Sequence, residues 1–137
     1  MKSLFTIIFI LLDISTYSQV NLNILDQKPP ATYENIYSQK LGGDSLSTSF
    51  LLWIKKSVPL HIHANHSEVV YVISGTADFE MGYDLEKRQI KAGDYIFIPK
   101  NKVHGLNVTS AEPLEVISIQ SPMFNGSDRI QVDVQSK

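Results

Sequence analysis

From Leu46 onward the chain is a succession of short apolar runs divided by Gly, Pro, Asn or Asp. The runs are "STSFLLWI", "PLHIHA", "EVVYVISG", "TADFEMG", "RQIKAG", "DYIFIP", "KVHGLNV", "PLEVISIQ" and "RIQVDV". Short β-like runs closed by turn residues every eight to twelve positions are the pattern of an all-β sandwich or barrel. No stretch of about a dozen residues carries a helical stripe. "EVVYVISG" is apolar on both alternating faces, so it is expected to be covered on both sides. Barrel packing is the first explanation for this, and a homodimer interface the second.

Two segments precede these runs. Residues 19–45 hold a Pro-Pro and a Gly-Gly pair with little periodicity, and are expected to form a lead-in arm ending in a turn. Residues 1–18 open with Lys2, continue in an apolar run from Leu4 to Leu12, and end in small polar residues. That is the layout of a secretory signal peptide, with cleavage expected before Gln19. The nine-residue run stops at Asp13, whereas spanning a bilayer takes roughly 20 residues. The expected organisation is therefore a signal peptide over 1–18, an arm over 19–45 and a β-barrel domain over 46–137. A secreted or periplasmic location follows, with no membrane attachment after cleavage.

Composition narrows the function. With 43% hydrophobic and 19% charged residues the chain is an ordinary globular one, and 137 residues suffice for one core. A net charge of −2 gives no basic footprint for nucleic acid. The absence of cysteine removes disulfides, thiolate ligands and a cysteine nucleophile. The nucleophile elbow, the phosphate-cradling loop, the dinucleotide glycine motif and the H-E-x-x-H pair are all missing.

Candidate chemistry concentrates in "HIHANHSE", residues 61–68, which hold three of the four histidines. On a strand, His61 and His63 project from one face about 6.6–7 Å apart. If the chain turns through "ANHS" and pairs back, Glu68 reaches the same centre. Two imidazoles and a carboxylate suit borderline divalent ions such as Fe(II), Mn(II), Ni(II) or Zn(II). His66 lies in the turn and is expected to be exposed; the alternatives are a ligand in place of Glu68 or a base standing behind the ligands.

With His104 added, the sequence resembles the cupin superfamily. The first cupin motif, G-x5-HxH-x3–4-E-x6-G, is met by His61, His63, Glu68 and Gly75 at the expected spacings. The second, G-x5-P-x-G-x2-H-x3-N, is met by Gly93, Pro99 and His104. The resemblance spans roughly residues 45–120. It implies a small jelly-roll barrel holding a metal through His61, His63, Glu68 and His104. Three positions depart from the pattern: Lys55 and Asn101 replace glycines, and Asn107 stands one place before the expected asparagine at Val108. Asparagine tolerates a left-handed backbone best among non-glycine residues, so Asn101 is a conservative change.

Lys100 and Lys102 flank the second-motif turn and are expected to be solvated. Phe50, Trp53, Tyr71, Tyr95 and Phe97 are expected to pack in the core or on the surface, with pocket lining as the alternative. The resemblance implies a metal-dependent enzyme of dioxygenase, isomerase or decarboxylase type acting on a small organic molecule. Fe(II) is favoured if the chemistry uses oxygen. The alternative is a non-catalytic module that binds a sugar or organic acid beside an anchoring metal.

Overall fold

The computed structural model describes residues 19–133. The proposed signal peptide lies outside the described residues. After a 3-10 turn at Ile24–Asp26, ten strands follow: β1 (Ile36–Gly43), β2 (Thr48–Ile54), β3 (Ser57–His63), β4 (Ser67–Ser74), β5 (Thr76–Met81), β6 (Glu86–Lys91), β7 (Tyr95–Ile98), β8 (His104–Val108), β9 (Leu114–Ser121) and β10 (Arg129–Gln131). They form two five-stranded antiparallel sheets, ordered β1-β2-β9-β4-β7 and β10-β3-β8-β5-β6. This is the all-β jelly-roll expected from the apolar runs, and each of the nine runs falls on a strand. No helix among the described residues is long and apolar enough to cross a membrane.

The arm departs from expectation in its second half, which is strand β1 at the edge of the first sheet. Its residues alternate between exposed and half-buried, so no apolar run marks it in the sequence. The Gly-Gly pair does end in a turn. There the Asp44 carboxylate accepts the N–H groups of Leu46 and Ser47 at 2.8 and 3.1 Å.

The core lies between the sheets. Ile54, Val70, Val72 and Val116 from the first sheet meet Phe79, Ile90 and Leu106 from the second. Strand β4 buries Val70 and Val72 inward, but Tyr71 on its outer face is 45% exposed. Barrel packing therefore covers only one of its two apolar faces. Cross-strand neighbours extend the open face: Val69 pairs with Phe97 and Ile119, and Tyr71 with Tyr95. Tyr95, Phe97 and Ile119 are all exposed.

Two backbone positions fix loops at opposite ends of the barrel. Gly75 has φ +83°, and a Cβ there would stand 2.9 Å from Leu114 Cα; only glycine fits both conditions. Asn101 adopts the left-handed region at φ 63°, the conformation expected for it, and its N–H donates to the His63 carbonyl at 2.7 Å. Lys55, where the motif has glycine, instead ties the arm down. Its ammonium donates to the Tyr33 carbonyl at 2.6 Å and stands 3.9 Å from the Tyr33 ring centre.

Candidate metal centre

The period-two alternation of β3 turns His61 and His63 to the same buried face. Antiparallel pairing places His104 of β8 directly opposite His61. Three imidazoles therefore come from one sheet. Glu68 comes from β4 of the facing sheet, where its neighbour across the ladder is Gln120 of β9. All four side chains are buried, with exposures of 3 to 7%.

The rings gather closely. Centroids of His61 and His104 are 4.1 Å apart, those of His61 and His63 4.8 Å, and those of His63 and His104 5.3 Å. One nitrogen from each ring can be chosen so that all three lie within 4.8 Å of one another. Glu68 Oε2 stands 3.4 Å from His63 Nε2 and 3.3 Å from His104 Nε2.

The outer contacts decide which nitrogens face inward. His61 Nδ1 lies 2.8 Å from the Pro59 carbonyl, and His104 Nδ1 lies 2.9 Å from the Lys102 carbonyl. A carbonyl only accepts, so each Nδ1 carries the proton and each Nε2 is left with a lone pair. His104 Nε2 is buried without a hydrogen-bond partner. Such a group costs about 1–3 kcal/mol unless something occupies it. The donor set fits a divalent ion.

Electrostatics keep the set in its ligating form. Burial, reinforced by the neighbouring His104 and Arg129, lowers the His61 pKa to about 3, so the ring is neutral near pH 7. Burial pushes the Glu68 carboxyl up, but hydrogen bonds from His104 and His63, made in the metal-free protein whenever their Nε2 atoms carry a proton, and from Ser118 outweigh it and hold it well below the usual carboxylate range. The Ser118 hydroxyl donates to Glu68 Oε1 at 2.5 Å, and Gln120 Nε2 donates in turn to Ser118 Oγ at 3.2 Å. A carboxylate held this way presents its other oxygen to the cluster.

A cavity of about 280 Å³ opens onto these residues. Its walls are mostly apolar, including Phe50, Leu52, Phe79, Leu106 and Phe124. Arg129 of β10, placed opposite His63 in the ladder, is the one Lys or Arg lining it among the described residues.

Residues 50–120 match the family model of the cupin domain. The chain is a cupin. Its similarity to other proteins extends past the motifs. An uncharacterised protein of Aquifex aeolicus is 36% identical over 101 residues, covering 74% of this chain and 81% of that protein. L-ectoine synthase of Hahella chejuensis is 33% identical over 91 residues, covering 64% and 67%. Among solved structures, the Streptomyces nucleoside dehydratase Pac13 superposes with a TM-score of 0.58 at 19% identity, covering 77% of this chain and 95% of that one.

The structure brings together His61, His63, Glu68 and His104, the four residues singled out in the cupin motifs. It corrects the expectation for His66, which is 2% exposed and not a solvated turn residue. Its Nδ1 lies 2.8 Å from Asp128 Oδ2, and that carboxylate, drawn from 62 positions away, covers the ring. Lys100 and Lys102 are exposed as expected. Of the five aromatics, Phe50 lines the cavity, Trp53 is buried against Tyr37, and Tyr71, Tyr95 and Phe97 lie on the open outer face. Sequence reasoning missed Ser118, Gln120, Phe124, Asp128 and Arg129. Ser118 and Gln120 were legible, because they are polar residues at alternate positions of β9, in phase with buried Val116. Phe124 and Asp128 belong to a weakly patterned segment whose docking depends on tertiary contact, and Arg129 opens the last apolar run, where nothing local marks it as facing the cavity.

Proposed function

We propose that this cupin holds one divalent transition-metal ion through His61, His63, Glu68 and His104 and acts as a metal-dependent enzyme on a small organic molecule. The observation that carries the reading is the pair of main-chain carbonyls that fix His61 and His104, which leave buried nitrogens without protons facing a buried carboxylate. Such a centre supplies Lewis-acid or redox chemistry when loaded. Three imidazoles and one carboxylate suit Fe, Mn, Ni or Zn, with Fe(II) the choice for oxygen chemistry.

The rest of the cavity sets what can enter. Its volume of about 280 Å³ falls just below the roughly 300–1,000 Å³ of small-molecule sites, and its walls are largely apolar. Arg129 offers a cationic anchor for a carboxylate or other anionic group of the substrate. Glu68 is the one Asp or Glu lining the cavity among the described residues, so proton transfer within it rests on Glu68, the histidines or solvent. The similarity to L-ectoine synthase and the fold shared with a nucleoside dehydratase support an enzymatic reading over a purely structural one. The same apolar cavity also suits a module that binds a small organic acid beside an anchoring metal. Turnover separates the two.

The proposal includes export through residues 1–18 and pairing of the open outer face in a homodimer. The test of the metal is elemental analysis of purified wild type and His61→Ala. Bound metal in wild type that is lost or much reduced in the variant supports the reading. Wild type that retains no metal after loading with any of the four ions refutes it.

A further inference from the structure

A second set of donors converges behind the first. His63, His66 and Asp128 are 4, 2 and 7% exposed. One donor atom from each can be chosen so that the three lie within 4.8 Å of one another. The His63 and His66 rings have centroids 4.1 Å apart, the same separation as the His61–His104 pair of the first centre. Phe124 packs beside both, 5.9 Å from His63 and 5.2 Å from His66.

The segment carrying Asp128 is tied to the turn that joins the two ligand-bearing strands. Asp128 Oδ2 accepts the Asn65 N–H at 2.9 Å, and its main-chain carbonyl accepts the Ala64 N–H at 3.2 Å. Even so, His63 Nδ1, His66 Nε2 and Asp128 Oδ1 are all buried without a hydrogen-bond partner. The contrast within the first centre is informative. His61 and His104 each hand their Nδ1 proton to a main-chain carbonyl, and His63 does not. His63 Nδ1 is therefore a buried nitrogen beside this cluster that no carbonyl holds, and a buried polar atom of this kind calls for a partner.

We propose that His63, His66 and Asp128 form a second divalent-cation site, back to back with the first and sharing the His63 ring. Two imidazoles and a carboxylate select a borderline ion of the zinc, copper, nickel or cobalt type. His66 Nδ1 and Asp128 Oδ2, 2.8 Å apart as a hydrogen-bonded pair, would part to about 3.3–3.4 Å as neighbouring ligands of a tetrahedral ion that replaces the proton between them. The inference rests on the first-centre reading, which assigns His63 Nε2 to that ion and leaves Nδ1 for this one. Filling both sites releases the Nδ1 proton of His63 to the buffer and leaves an imidazolate bridging two cations.

The test is titration of chelator-stripped full-length protein with Zn(II), followed by elemental analysis after desalting. Wild type is expected to retain two ions per chain, with entry of the second releasing a proton seen as buffer-dependent heat. His66→Gln and Asp128→Asn are each expected to retain one. Wild type that retains a single ion, lost on His61→Ala and kept on His66→Gln, overturns the second site and leaves the first standing. A single ion lost on His66→Gln and kept on His61→Ala refutes the first centre and with it the shared ring, and leaves an ion at His66 and Asp128 alone. Two ions in wild type and in both variants place the second ion elsewhere and overturn the assignment. Wild type with two Cu(II) ions gives a check that needs no variant. Bridging through His63 couples the spins and reduces the paramagnetic signal per copper, whereas full intensity from both ions rules out the shared ring.

Discussion

Replacing Ser118 with alanine tests the electrostatic account of Glu68. The hydroxyl is fully buried and donates to Glu68 Oε1 at 2.5 Å, and it touches no histidine of the cluster by hydrogen bond. A hydrogen bond to a charged acceptor contributes about 1.5–3 kcal/mol. Its loss raises the Glu68 pKa, but from a starting point well below the usual carboxylate range, so the carboxyl stays ionised above pH 5. It also frees the carboxylate to rotate, and removal of a partner behind a metal ligand typically weakens binding about 10–100-fold. The assay is competitive Zn(II) titration against a chromophoric chelator from pH 5 to 7.5, for wild type and Ser118→Ala. Affinity should fall by about one to two orders of magnitude in the variant, by a similar factor at each pH, because Glu68 is ionised throughout the range. An affinity within about twofold of wild type across the range would refute the reasoning, because the hydroxyl would then not hold the ligand.

Three further outcomes follow from other parts of the structure. Metal-free protein should lose stability as pH falls from 6.5 toward 3. The folded pKa of His61 is about 3, below its ordinary 6.5, so between these values the unfolded chain binds the extra proton. The loss is on the order of 5 kcal/mol at its fullest, and urea titrations should show a flatter pH dependence in His61→Gln; identical slopes would contradict this. Gly75→Ala should cost more than about 1–2 kcal/mol, since it puts a Cβ on a left-handed residue 2.9 Å from Leu114 Cα, and a thermal melt unchanged from wild type would refute that strain. Finally, light scattering should give twice the chain mass for wild type and a monomer for Tyr95→Lys with Phe97→Glu; a monomeric wild type would rule out pairing through the open face.

The fold and the four clustered residues were legible for a simple reason. Strand periodicity is local, so His61 and His63 had to share a face once "PLHIHA" was taken as a strand. His104 required only that its own run pair nearby, and the motif spacing supplied the register. What stayed hidden depends on partners distant in sequence. The burial of His66 is caused by Asp128, and nothing within the turn "ANHS" announces it. Strand β1 was hidden because an edge strand buries little and therefore carries no apolar signature. Tyr71 shows the converse: alternation marks which residues share a face of β4, but whether the outer face meets solvent or another chain is decided by what lies beyond the strand.

In the proposed centre, three imidazoles from one sheet and a carboxylate from the other bind one ion. Anomalous diffraction from crystals loaded with a single equivalent of Zn(II) or Fe(II) measures this directly. A peak is expected about 2.0–2.3 Å from one nitrogen each of His61, His63 and His104 and from a Glu68 oxygen. A peak coordinated elsewhere, or a His104 ring turned away from an ion held by the others, would contradict it.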